Sequence, residues 1–216
     1  ELALFAAQEP GVSTLSDSVR NRGRLTIVPM RGWRREMRWP ETGLNFVGTS
    51  PLVQDFAAVV GYAMVGLGCE YSGFTHGIGA SYPFRGLAFK GVPAERLAAD
   101  LTRLRVPGVA FRSVALTEGR TQKTGVYVEL TDWDAWNPTE LSFALMRLAC
   151  RYDAPNPFAK LNGDDPRKFN IHVGSTLWWT TLRRDGARVN LEAFLADWKT
   201  QAAAYQQQTR KYWLYQ

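Results

Sequence analysis

The residues best suited to chemistry lie in a glycine-rich segment, residues 68–84. Glu70 and His76 provide a carboxylate and an imidazole, and Ser72 and Tyr82 provide hydroxyl groups. A neutral imidazole donates through one ring nitrogen and accepts through the other, so it can hold a ligand hydroxyl. Glycine at this density indicates tight turns or close approach of the backbone to a ligand. Polar groups on a loop held by a scaffold are typical of binding sites. A structural turn, with Glu70 and His76 satisfying buried backbone groups, is the open alternative.

No complete catalytic or cofactor motif accompanies this segment. Gly77-Ile78-Gly79 matches half of a dinucleotide-binding loop, but no apolar strand leads into it. A Walker loop and a nucleophile elbow are both absent from the sequence. Cys69 and Cys150 lie far from each other and lack the spacing of a metal site with the two histidines, His76 and His172. We therefore expect no metal and no cofactor, while a disulfide between the cysteines stays open.

The net charge of +6 is concentrated near the N-terminus. Residues 20–38 contain seven arginines and one glutamate, and the other 19 basic and 19 acidic residues cancel. Such a segment indicates either an anionic partner or a solvated face. The interleaved aromatic and basic residues typical of RNA-binding modules are missing, so we expect no nucleic-acid partner. No apolar stretch approaches the roughly 18 residues that a membrane span needs, so none is predicted.

The elements that must position the glycine-rich segment are a mixture of helices and strands. Spacing and capping signals predict helices at residues 2–8, 51–67 with Ser50 as N-cap, 94–104 and 169–182, from Pro138 onward with Asn137 as N-cap, and from near Asn190 onward. Strands are predicted at residues 25–28, 109–116 and 126–130. Because these elements do not alternate as regular βαβ units, we expect an α+β fold with a small sheet. Of the adjacent Trp178 and Trp179, one is expected to be exposed, as a possible sugar platform.

Several segments carry a family resemblance in their order along the chain. They are residues 25–39 (LTIVPMRGWRREMRW), Thr42-Gly43-Leu44, Thr49-Ser50-Pro51, the glycine-rich loop ending in Tyr82-Pro83-Phe84, residues 107–112 (PGVAFR), residues 125–132 and the aromatic ending at residues 211–215. Together they resemble the NamZ family, the exo-acting β-N-acetylmuramidases of bacterial peptidoglycan recycling. The family signature usually has a second acidic residue and two arginines where this sequence has His76, Ile78 and Tyr82. Since Glu70 is kept, the sequence resembles a divergent member.

The resemblance implies a domain organisation. Residues 1–45 would be the tail of an N-terminal domain and a connection, and residues 46–216 the C-terminal domain of a two-domain glycosidase. The Rossmann-like N-terminal domain of the family, with its proposed catalytic glutamate, would be mostly absent. We therefore expect a fragment whose catalytic residues lie upstream.

The resemblance also implies a function. The expected activity is hydrolysis of terminal N-acetylmuramic acid from cell-wall fragments by a periplasmic or secreted glycoside hydrolase, with this portion closing the substrate cleft. Glu70, Ser72, His76 and Tyr82 would contact the sugar, and Arg34 would meet its lactyl carboxylate. The expected partners are peptidoglycan fragments and the missing N-terminal domain. A non-catalytic glycan- or envelope-binding module is the alternative, because signature residues are missing.

Overall fold

The computed structural model describes residues 1–12, 16, 18–20, 22–78, 81–118, 120–154 and 156–215. Two compact units are formed, one by Glu1–Asn45 with Ala196–Gln216 and the other by Phe46–Leu195. The helices are α1 (Leu2–Gln8), α2 (Phe56–Gly61), α3 (Leu67–Cys69), α4 (Ala94–Arg103), α5 (Glu140–Tyr152), α6 (Asp165–Val173), α7 (Thr176–Asp185) and α8 (Leu191–Thr209). The strands are β1 (Phe74–Thr75), β2 (Gly86–Phe89), β3 (Val109–Glu118) and β4 (Thr121–Leu130). The predicted α+β class is confirmed. No helix in the described part of the chain is long and apolar enough to cross a membrane.

The larger unit is built on an antiparallel sheet in the order β1-β2-β4-β3. β3 and β4 form a long hairpin that is paired from Val109↔Leu130 to Glu118↔Thr121. Along β4, buried Val126 and Val128 alternate with half-buried Tyr127 and exposed Glu129, which confirms the predicted half-buried strand. The buried side chains of the sheet share one apolar core with α4 and α5, whose fully buried members include Leu97, Leu101, Leu141 and Leu145.

A continuous helical segment then leads from this core to the glycine-rich loop. α2 and α3 are joined by a π-helical stretch, Tyr62–Gly66, so the segment runs unbroken from Phe56 to Cys69. Gly68 packs so closely on α5 that a Cβ atom there would lie 2.8 Å from the Ser142 Cα atom. Because α5 is fixed in the core, this contact fixes where the helical segment ends and the loop begins.

Four local predictions were wrong in their type or in where a helix begins or ends, and β4 begins at Thr121, before the strand predicted at residues 126–130. The helix predicted from residue 51 begins at Phe56, because Asp55 rather than Ser50 caps it by accepting a 2.7 Å hydrogen bond from the Ala58 amide. The helix predicted from Pro138, with Asn137 as N-cap, begins at Glu140 after Thr139. The helix predicted at residues 169–182 is broken into α6 and α7 at Gly174, whose φ of +74° ends the first helix. The strand predicted at residues 25–28 is irregular, with no strand beside it among the described residues.

The smaller unit holds its N-terminal helix against the C-terminal segment through acidic residues. Glu9 accepts a 2.6 Å hydrogen bond from the Tyr212 hydroxyl and forms a 2.7 Å ion pair with Lys211. Arg35, one of the arginines of the basic segment, donates through its Nη2 atom to both carboxylate oxygens of Glu1, at 2.7 and 2.6 Å. Part of the basic segment is therefore engaged within its own unit.

Candidate functional site

A cleft of about 760 Å³ lies in the larger unit, along the glycine-rich loop. The end of the helical segment, the loop and α6 all contribute to its wall. Its polar lining comprises Glu70, Thr75, His76, Ser81 and His172, and its aromatic lining comprises Tyr62, Tyr71, Phe74 and Phe84. A concave surface with few polar groups among aromatic side chains is the usual form of a small-ligand site.

Glu70 is turned into the cleft by a tight turn that follows α3. Glu70 has φ −64° and ψ 115°, Tyr71 has φ +54°, and the Ser72 amide donates to the Cys69 carbonyl at 3.4 Å. These values describe a type II turn, whose third residue is normally glycine because it needs a positive φ. A tyrosine at this position is strained by roughly 1 kcal/mol or more, and such strain is typical of functional loops.

The same turn is tied to α6 at two places. The Glu70 Oε1 atom lies 3.0 Å from the His172 Nδ1 atom in the last turn of α6, with the side chains 31% and 52% exposed. Tyr71 interacts through its phenol with Asp165, the first residue of α6. Burial, and then the charge of Asp165, raise the pKa of Tyr71, so its phenol is neutral. The position of the Glu70 carboxylate therefore depends on α6.

His76 forms another part of the polar lining. Its ring is stacked on Phe84 with centroids 4.3 Å apart, and Tyr62 meets Phe84 edge to face at 5.0 Å. The Nδ1 atom of His76 is buried and has no hydrogen-bond partner in the described part of the chain. An unsatisfied buried nitrogen is costly, so the Nδ1 atom lacks the partner that buried polar atoms usually have.

The loop that carries Phe84 closes on the helical segment. Tyr82 and Phe84 have φ values of +52° and +58°, which non-glycine residues adopt rarely. A Cβ atom on Gly61 would lie 2.6 Å from the Phe84 carbonyl oxygen, so only glycine at residue 61 allows this approach. The wall formed by Phe84 and His76 is thus fixed by backbone packing.

The thiol in the cleft wall is not a nucleophile. Burial raises the pKa of Cys69 to about 12, and the carboxylate of Glu70 adds to this shift. Because the thiolate is the reactive species, Cys69 is unreactive at neutral pH. Cys69 and Cys150 are both free, so they form no disulfide in this structure.

The remaining side chains predicted to bind the substrate lie outside the cleft lining. Ser72 is fully buried, and its Oγ atom accepts a 3.2 Å hydrogen bond from the Phe74 amide, so it supports the turn. Tyr82 packs against Tyr127, with ring centroids 5.0 Å apart. Arg34 belongs to the other unit, where its exposed side chain pairs with Glu36 at 2.6 Å.

Ile78, which stands where the family signature usually has an arginine, is a core residue in this structure. Ile78 is 2% exposed, and its side chain covers Gly86 and Gly125 on the sheet. A Cβ atom at Gly86 would lie 2.6 Å from the Ile78 Cγ1 atom. The position that usually carries an arginine in the family is therefore filled by an apolar contact.

His172 lines the cleft although the sequence did not predict it as a site residue. It was part of a helix predicted at residues 169–182, far along the chain from Glu70, and no local spacing links the two residues. The one available signal was its imidazole in the first turn of the predicted helix.

The arrangement suits binding of a polar ligand better than complete hydrolytic chemistry. Glycoside hydrolysis generally uses two carboxyl groups, about 5–9.5 Å apart. Glu70 is the only carboxylate among the described residues that line the cleft. No group of three or more histidine, cysteine, aspartate or glutamate side chains among the described residues could hold a metal ion.

The fold and cleft define an α+β domain with a cleft of small-molecule size, and comparison with known proteins gives its family. The chain belongs to the family described as exo-beta-N-acetylmuramidase NamZ, C-terminal, whose model matches residues 60–215. The resemblance drawn from the sequence is thereby confirmed, and the low identities below agree with a divergent member.

Two known proteins illustrate the relationship. The chain is 29% identical over 128 residues to the peptidoglycan beta-N-acetylmuramidase NamZ of Bacillus subtilis (strain 168). The matched region covers 57% of this chain and 31% of that relative. It also resembles the crystal structure of a DUF1343 family protein from Bacteroides fragilis, with a TM-score of 0.70 and 26% identity, over 86% of this chain and 49% of the other. The chain thus spans about a third of the first protein and half of the second.

Proposed function

We propose that this chain forms the substrate-binding part of a peptidoglycan exo-β-N-acetylmuramidase. In this proposal, the cleft takes a terminal N-acetylmuramic acid of a cell-wall fragment, and Glu70 and His76 contact the sugar. The observation that carries it is that both side chains, on the family's glycine-rich loop, line one cleft of about 760 Å³. That volume lies within the range typical of small-molecule sites. Membership in the NamZ C-terminal family supports this choice of ligand.

The proposal assigns the bond-breaking chemistry to residues outside this cleft. Glu70 alone does not supply the carboxyl pair that glycosidases generally need. We propose that an N-terminal domain, as the family resemblance implies, supplies the missing carboxyl group, and that residues 46–216 close the substrate cleft against it. The enzyme would act in the periplasm or outside the cell.

The test is hydrolysis of a chromogenic β-N-acetylmuramide by the product of the complete gene. We expect release of the chromophore, and a loss of at least about tenfold in Glu70→Gln, since a hydrogen bond to a charged group is lost. Glu95→Gln is the matched control, because Glu95 is an exposed glutamate of α4. A folded protein that releases no chromophore contradicts the enzymatic function.

The second candidate is a non-catalytic module that binds glycans of the cell envelope. It is favoured by the single carboxylate in the described cleft lining and by the apolar role of Ile78. Muropeptide binding without turnover by the product of the complete gene would support this candidate over the first.

A further inference from the structure

His172 has a structural position that the family resemblance did not assign. It lies at the end of α6, and its Nδ1 atom is 3.0 Å from the Glu70 Oε1 atom. No other hydrogen bond or ion pair joins either side chain to the described residues, and both line the same cleft. A carboxylate with one engaged oxygen and an imidazole with one engaged nitrogen therefore stand side by side in the wall.

The contact between the two side chains determines what the pair offers to a ligand. The His172 Nδ1 atom faces the Glu70 Oε1 atom, so Nε2 is the ring nitrogen left for a ligand, and it is an acceptor when the ring proton is on Nδ1. The Glu70 Oε2 atom is a second acceptor, on the same carboxylate. Two adjacent acceptors complement a ligand that presents two hydroxyl donors.

The turn that holds this pair is fixed independently of any ligand. Tyr71, strained at φ +54°, contacts Asp165 at the start of α6, while Glu70 contacts His172 at its end. The turn that contains Glu70 therefore contacts α6 both at its first residue and in its last turn. Such support by a neighbouring element is how a binding group is held in its productive orientation.

We infer that His172 both positions Glu70 and binds the ligand, so that the Glu70–His172 pair accepts hydrogen bonds from two hydroxyl groups of one sugar. The inference rests on the proposed function for the identity of that sugar. In a terminal N-acetylmuramic acid, carbon 2 carries an acetamido group and oxygen 3 a lactyl ether, so the free hydroxyls of the non-reducing side are those on carbons 4 and 6. Because the 4-hydroxyl is free only at a chain end, the pair would select terminal residues.

Two substitutions separate the two roles of His172. The amide nitrogen of His172→Asn lies near the place of Nδ1, so it keeps the donor to Glu70 but has no counterpart of Nε2. His172→Ala removes both functions. Ile171→Ala is the control, because Ile171 is its neighbour on α6 and 63% exposed. Thermal unfolding of each variant establishes that it is folded, which we expect because the His172 side chain is half exposed.

The experiment measures binding of methyl β-N-acetylmuramide and of its 4-deoxy and 6-deoxy derivatives by calorimetry. We expect the parent and Ile171→Ala to bind alike, His172→Asn about 3- to 10-fold more weakly, and His172→Ala more weakly still. The parent should lose affinity with each deoxy sugar, while His172→Asn should become insensitive to the loss of one of the two hydroxyls.

The outcomes distinguish this inference from the proposed function. If the parent binds the sugar but His172→Asn binds equally well and responds equally to both deoxy derivatives, His172 is not a ligand contact and the inference is wrong. If the parent does not bind any of the sugars, the proposed function fails and the inference fails with it.

Discussion

The Ser142 hydroxyl donates a 2.8 Å hydrogen bond to the Met64 carbonyl, and both residues are fully buried. The bond joins α5 to the π-helical stretch that precedes Glu70. Because the carbonyl is shielded from water, its partner in α5 helps to fix the segment that ends at the cleft.

Ser142→Ala should lower the free energy of unfolding by about 1–2 kcal/mol, because a buried carbonyl loses a donor. Urea unfolding monitored by tryptophan fluorescence measures the change. Ser113→Ala, at an exposed position of β3, should leave stability within about 0.5 kcal/mol of the parent. Equal stability of the two variants would show that the buried bond is unimportant.

Gly68 tests the close packing of the same two helices. An alanine there would bring its Cβ atom to 2.8 Å from both the Ser142 Cα and the Leu145 Cδ1 atoms, so we expect Gly68→Ala to lose about 1–3 kcal/mol of stability. Gly66→Ala is the matched control, because its nearest neighbour is the Tyr62 ring at 3.2 Å and that exposed ring can shift. Denaturant unfolding of both variants gives the comparison, and a Gly68→Ala protein as stable as Gly66→Ala would refute the packing argument.

The sequence predicted those parts of the fold that local patterns determine. α4 was found because apolar residues recur at helical spacing after Pro93, and β4 because Val126 and Val128 alternate with polar residues. The break at Gly174 was missed because apolar residues continue on both sides of it. Trp178 and Trp179, of which one was expected to be exposed, are both buried at 0% and 6%. α5 and α8 pack on Trp178 through Phe143 and Phe194, and α6 packs on Trp179 through Phe169.

The sequence predicted only those cleft residues that lie together on the glycine-rich loop. Glycine density pointed to Glu70 and His76, which line the same cleft. Ser72 and Tyr82 belong to the same segment, but the burial of one and the packing of the other on Tyr127 depend on tertiary contacts. His172 reaches Glu70 only through the placement of α6, which no local pattern specifies.

Tyr152 provides a pH-dependent test of the packing between α4 and α5. Its hydroxyl donates to the Asp100 Oδ2 atom at 2.8 Å, and this bond is the main reason that the pKa of Asp100 lies below its usual value. A lowered carboxyl pKa stabilises the fold above the unfolded value of about 4, and that contribution is lost as the pH falls. Burial, and then Asp100, raise the pKa of Tyr152, so its contribution is lost as the pH rises above about 10.

Tyr152→Phe should therefore be less stable than the parent by about 1–2 kcal/mol between roughly pH 5 and 9. The difference should narrow below about pH 4 and above about pH 10. Unfolding free energies measured across this range give the profile. A difference that is constant from pH 2 to 11 would mean that the hydrogen bond does not link these two groups.

The two thiols should be slow to react in the folded protein. Burial raises the pKa of both Cys69 and Cys150 to about 12, so little thiolate is present at pH 8. A colorimetric disulfide reagent should label neither rapidly under native conditions and both after denaturation. Rapid native labelling would contradict the burial of the thiols, and labelling of none after denaturation would reveal a disulfide.

The central claim, that the cleft of Glu70 binds the sugar, is tested most directly by calorimetric titration of the protein with N-acetylmuramic acid. We predict binding by the parent, weakening of about 10- to 100-fold in Glu70→Gln and no change in Glu95→Gln, because Glu70 is the one carboxylate among the described residues that line the cleft. Glutamine keeps an acceptor for His172, so the turn should be retained. Equal affinity of the parent and Glu70→Gln, or no binding by the folded parent, would contradict the claim.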